Sequence, residues 1–248
     1  MYYEFKDANV RIAGSMHWFP PDSPNIPNWI LEAYDWCEQL VVECDDPAIF
    51  SHIKLPEGQS LEKRIPPDVW LALLNLWPKT YPPLFSVKPW FVLTALPTLL
   101  NPVVIGVDQR LIQRAKTDGK PVYSLETALD VTRMLDAIPD SEYVESFSTM
   151  IGNPILYRDL AKNIHAAWLR RDLVSLFAIV SQDPLWKQAS MRDTITADRS
   201  QAWIPVIQKF IPSKQRTLIV VGALHLCGKG NVTEFYKHNE RHVLSIIP

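Results

Sequence analysis

"LIVVGALHLCG", residues 218 to 228, and "RIAGSMHWFP", residues 11 to 20, share one pattern: an apolar, strand-like run closed by Gly-x-x-His. With only eight glycines and six histidines in 248 residues, chance gives roughly 0.2 pairs at this spacing. Parallel sheets collect their ligands outside the carboxyl ends of the strands, and a glycine there lets the backbone turn without a Cβ clash. The two segments are therefore expected to be neighbouring strands that bring His17 and His225 to one sheet edge.

Working outward, Val10–Ala13 and Leu40–Cys44 are short apolar runs, and Ile30, Ala33, Tyr34 and Cys37 between them have the spacing of a helix over 29–39. Such a β-α-β unit makes its strands parallel and points both carboxyl ends the same way. The second run, "LVVE", closes on Glu43 at that same edge, where a buried strand rarely ends in an unpaired carboxylate. Asp45 and Asp46 are placed to cap a helix starting at Pro47.

Residues 55–102 are rich in proline and aromatics and read as short helices, an insertion forming one wall of a cleft. Beyond them a helix is expected over 109–117, a turn at Asp118-Gly119 and a strand over 121–125. Helices follow over 126–135, 143–150, 156–180 with a break, and 193–211 with a kink at Pro205. Strands over 217–221 and in the closing "HVLSII" complete the chain. The expected fold is α/β: one domain over 1–248, with a central, mostly parallel sheet flanked by helices.

A formal charge of −2 and a pI of about 6.3 leave no basic surplus for phosphates, so nucleic acid is not an expected partner. Cys37, Cys44 and Cys227 form no CxxC pair and read as reduced thiols. The N-terminus lacks the apolar core of a signal peptide, and the longest apolar stretch is interrupted by Pro97, Asn101 and Pro102, short of a membrane span. A cytoplasmic location is the expectation.

Two imidazoles and a carboxylate suit a divalent transition metal such as manganese, cobalt or zinc, with positions left open for water and substrate. Such an ion lowers the pKa of bound water and polarises a carbonyl. The chain contains no HExxH, GxSxG, Walker A or GxGxxG sequence, which argues against zincins, serine hydrolases of the nucleophile-elbow type and nucleotide binding. His17, Glu43 and His225 are the candidate ligands. His52, His165, His238 and His242 have no matching context and read as surface or structural residues.

Gly14-Ser15-Met16-His17, Glu43 closing "LVVE", "GVDQ" at 106–109, "KPVYSLET" at 120–127, "DRSQAW" at 198–203 and "VGALHLCGKGNV" at 221–232 occur in the order seen in the TraB/GumN family. The chain resembles that family, which is similar to the Tiki metalloproteases. The resemblance implies a fold related to erythromycin esterase-like and haem-uptake ChaN-like proteins and a metal-dependent hydrolase, foremost a peptidase, acting on a peptide or small acyl substrate. It assigns His17 and His225 to the two GxxH motifs, Glu43 to the acid after the second strand and Arg199 to the arginine-bearing helix. Arg199 is suited to orienting a carboxylate ligand or to stabilising an oxyanion. Trp203, four residues on, is expected to pack. Asp108 and Glu126 are candidates to hold an imidazole in place or to cap the helices they precede. Two other readings stay open: a catalytically silent interaction protein on the same fold, and a metal-independent, esterase-like hydrolase.

Overall fold

The computed structural model describes residues 1–23, 25–237 and 244–247. Eight strands occur among them: β1 (Tyr2–Phe5), β2 (Val10–Ser15), β3 (Trp18–Phe19), β4 (Gln39–Val42), β5 (Val104–Ile105), β6 (Val122–Ser124), β7 (Thr217–Gly222) and β8 (Leu244–Ile246). Six of these form one sheet in the order β6-β4-β7-β2-β1-β8. The strands β6, β4, β7 and β2 run parallel, while β1 joins β2 and β8 antiparallel. The two GxxH strands are neighbours, with Ile12 opposite Ile219 and Ser15 opposite Gly222.

All six residues of β7, "TLIVVG", are buried. A continuous, largely apolar run of this kind is what a strand covered on both faces requires. The helix between β2 and β4 spans Asn28–Trp36 and buries Ile30, Ala33 and Tyr34. It stops one residue short of Cys37, whose N–H bonds back to Tyr34. The sheet places β7 between β2 and β4, so the β-α-β unit brackets the strand that closes the site.

The helix expected over 109–117 spans Val107–Asp118 and ends at Gly119, which takes the left-handed conformation suited to glycine (φ 70°). The next strand is shorter than its expected 121–125 and is followed by the helix Ala128–Ala137, capped by a reciprocal Thr127–Asp130 box. The expected break in 156–180 falls between the helices Pro154–Leu169 and Leu173–Val180. Asp46 accepts from the Ala48 N–H and starts the short turn Pro47–Ser51, with Pro47 in its first position. The helix through Pro205 is Arg199–Phe210, and it is entered through a π-helical turn, Thr194–Asp198, that sequence periodicity does not reveal.

The apolar side chains fall into two clusters. The larger covers both faces of the sheet. The smaller draws in the 55–102 stretch through Leu61, Leu73, Val87 and Trp90, together with Tyr143, Phe147 and Met191 from later helices. The three cysteines carry free thiols, and no helix among the described residues is long and apolar enough to cross a membrane.

Candidate functional site

The carboxyl ends of β2, β7, β4 and β6 deliver His17, His225, Glu43 and Glu126 in turn, each just past its strand. Gly222, the last residue of β7, lies in their midst. A Cβ placed on it would stand 3.2 Å from Glu43 Oε1, 3.4 Å from His17 Nε2 and 3.6 Å from His225 Cδ2. Glycine leaves the space in which these three side chains meet. The two histidines and the acid therefore face a common hollow, as the paired motifs require.

Each side chain is fixed by its neighbours. Ser15 Oγ donates to Asp108 Oδ1 at 2.7 Å, and Asp108 Oδ2 lies 2.9 Å from His17 Nδ1. The His17 backbone is clamped from behind, its carbonyl accepting from the Gly106 N–H at 2.7 Å and that of Met16 from the Val107 N–H at 3.0 Å. His225 is almost wholly buried. Its Nδ1 faces Ser200 Oγ at 3.0 Å, its Nε2 faces Glu43 Oε1 at 3.7 Å, and Trp203 packs against the ring with centroids 4.3 Å apart. Glu43 Oε1 accepts the Gly222 N–H at 2.6 Å, and its Oε2 accepts from Arg199 Nη2 at 2.7 Å.

Arg199 also donates through Nε to both oxygens of Glu126, at 3.1 and 3.3 Å, and through Nη2 to the same carboxylate. Its guanidinium lies 4.9 Å from the centre of the Trp203 ring, a cation–π arrangement. Of the two roles open to this arginine, the geometry has it orienting carboxylates: it bridges Glu43 and Glu126. Asp108 does hold an imidazole. Glu126 holds none, and Thr127 is the residue that caps the following helix, so Glu126 serves Arg199 instead.

Burial sets the charges apart. Burial alone would raise the pKa of Glu43, but Arg199, the two histidines and the Gly222 N–H outweigh it and hold the carboxyl well below the usual range. Burial likewise disfavours the charged guanidinium of Arg199, and Glu43 and Glu126 more than compensate, pushing its pKa further up. Burial lowers His225 to about 4 against the opposing pull of Glu43, leaving it neutral at pH 7. His17 is different: its side chain is 55% exposed, and the Asp108 carboxylate raises it to about 9. A cationic imidazole at the mouth thus stands over a neutral one beneath.

Sequence reasoning missed Ser15 and Ser200, since a serine two residues before a histidine or one after an arginine carries no signal of its own. Of the remaining histidines, His165 is buried between Phe19 and Trp168 and is structural. His238 and His242 lie outside the described residues.

The model of the TraB/PrgY/gumN family matches residues 3–242. The chain belongs to this family. Among curated proteins it is similar to "Uncharacterized protein YbaP" of Escherichia coli (strain K12), 27% identical over 244 residues that cover 93% of this chain and 89% of that protein. The protein of the same name from Shigella flexneri matches to the same extent. No solved structure gives a significant match, so the relation to erythromycin esterase-like and ChaN-like folds rests on the family resemblance. Of the residues that carry that resemblance, His17, Glu43 and His225 surround Gly222 in this chain.

The donor chemistry of this site suits a transition metal: two imidazole nitrogens and a carboxylate oxygen around one hollow, each Nδ1 taken by a partner that orients the ring. Among the described residues no three His, Cys, Asp or Glu side chains stand at ligand geometry, and Glu43 is held by Arg199 and the Gly222 N–H. The fit lies in the kind of donors and not in a finished cage.

Proposed function

We propose that this is a hydrolytic site for peptide or small acyl substrates, worked with a divalent transition metal held by His17 Nε2, His225 Nε2 and Glu43. The observation that carries the reading is the arrangement of the imidazoles. Both turn Nδ1 toward a fixed partner, His17 presents Nε2 to the space over Gly222, and His225 presents Nε2 toward Glu43 Oε1 at the edge of that space. The ion, manganese, cobalt or zinc, would supply an activated water and a polarised carbonyl. Asp108 orients His17 and makes it more basic. Arg199 keeps Glu43 ionised and aimed. Glu126 neutralises that arginine.

A second reading has its own support in the charge asymmetry of the two histidines. His225, neutral, has the state of a general base, and His17, cationic and at the mouth, that of a donor to a developing oxyanion. No ion is needed for this acyl hydrolysis.

The two are separated by turnover of a mixed peptide library and of small acyl esters, with and without chelator. The metal reading expects loss on chelation, recovery with manganese, cobalt or zinc, and a drop of at least about 100-fold in H17A and H225A. Chelator-resistant turnover that still needs both histidines favours the second. No turnover under any of these conditions contradicts both and leaves a binding role for the fold.

A further inference from the structure

The ribbon of β3 and β5 adjoins the mouth of the site and leaves both of its edges open. Trp18 lies opposite Ile105, and Phe19 opposite Val104. Pro20 has no N–H to give, and the His17 carbonyl accepts from the Gly106 N–H, so Phe19 and Val104 are the pair that exchange backbone bonds. At Trp18 and Ile105 the N–H and C=O point out of the ribbon instead, each pair along its own edge. No backbone group among the described residues bonds to either. An open edge of this kind is a template for another strand. A peptide added there draws affinity from main-chain bonds and selectivity from alternate side chains.

The two edges face different ways. The helix Val107–Asp118 follows β5 directly, and its Asp108 meets His17 at Nδ1, which puts β5 on the Nδ1 flank of the ring. Nε2 is on the other flank, beside Gly222. The outward groups of Trp18 point away from β5, toward that second flank. Trp18 follows His17 directly, and a strand paired with it would run about 4.8 Å from its backbone, past the exposed imidazole at the mouth. The side chains add a preference. Trp18 and Ile105 are both exposed and, as opposite residues, share one face of the ribbon, whereas Phe19 on the other face is buried.

We propose that the free edge of β3 takes the substrate peptide as a third strand, bonded to the Trp18 N–H and C=O, with a large apolar side chain packed on Trp18 in line with Ile105. This rests on the reading of the hollow as a peptide-hydrolysing site and adds how the peptide is held. A small ester has no backbone to pair and gains nothing from this edge.

The test uses the full-length protein and the mixed peptide library. Cleaved peptides are expected to share a large apolar residue at one fixed distance from the cut. One of them is then remade with single N-methyl groups along its backbone. Methylating the nitrogen that donates to the Trp18 C=O should raise KM about 10-fold. Methylating the nitrogen on either side of it, which points away from the edge, should leave KM nearly unchanged. W18A keeps this alternation and loses the apolar preference. Methyl groups that weaken binding at adjacent positions alike, or at none, overturn the proposal. Binding is also read without turnover, from the amide hydrogen exchange of Trp18 with chelator present. Adding the library should slow exchange at Trp18 and leave Ile105 as it was. A Trp18 amide indifferent to the library, in a protein that hydrolyses esters, overturns the proposal and leaves the hydrolytic reading standing. Protection of Trp18 without any turnover supports the edge and counts against hydrolysis alone. If W18A does not fold, the N-methyl series and the exchange of wild type still decide.

Discussion

Gly222 and Gly106 do opposite jobs with the same missing side chain. At Gly222 the backbone (φ −52°, ψ 137°) is open to any residue, and an added methyl would meet site atoms at 3.2 to 3.6 Å. G222A should therefore fold with its midpoint of unfolding nearly unchanged and lose metal binding and turnover, a split seen by comparing thermal melts with metal titration. At Gly106 a Cβ would stand 1.9 Å from the Met16 carbonyl oxygen, so the strand bearing His17 would have to move. G106A should cost about 3 kcal/mol, the upper end of overpacking, read as a lower denaturant midpoint with an unchanged slope. Protonation gives a third prediction. In metal-free buffer the folded protein holds its extra proton on His17 between the ordinary histidine value of about 6.5 and about 9, so stability falls as pH rises through that window. His225 binds its proton only near pH 4, whereas an unfolded histidine binds it near 6.5, so stability also falls as pH drops from about 6.5 toward 4. Denaturation across this range should show H17N losing the alkaline limb and H225N the acid one. A profile unaltered in either variant would refute the charge assignment.

At the scale of elements, the strands at the centre of the sheet and the closing strand β8 were legible, and β1 was not. "TLIVVG" and "LVV" announce themselves because β7 and β4 are covered on both faces and need uninterrupted apolar side chains. "YYEF" at β1 is four residues with one exposed position, too short for any period to stand out. The ribbon of β3 and β5 has two residues a strand, and Gly106 lets the two backbones approach next to it. The hollow follows from the strands: His17, His225 and Glu43 come together because each lies just past the carboxyl end of one of three neighbouring parallel strands. The arrival of Arg199 from a helix in the last quarter of the chain is fixed by tertiary packing, and only the family resemblance pointed to it. One element also guards the site indirectly. The Thr127–Asp130 box starts the helix immediately after Glu126, and T127A should cost about 1 kcal/mol. Thermal unfolding checks that figure, and a loss below a few tenths would mean that the cap contributes nothing.

Across the whole molecule, four parallel strands carry their carboxyl ends to one edge, and the described chemistry collects there: two imidazoles whose pKa values are moved in opposite directions, a carboxylate clamped between a backbone N–H and an arginine, and a second acid bound to the same arginine. Tertiary burial builds the distinction, since nothing in Gly-x-x-His says which histidine will be covered. The family to which the chain belongs supplies the motifs, and the geometry shows why they lie where they do. The most direct measurement is elemental analysis of the full-length protein purified without chelators, beside H17A and H225A prepared in the same way. Wild type should carry about one equivalent of manganese, cobalt or zinc and both variants close to none. Equal metal content in all three would contradict the account.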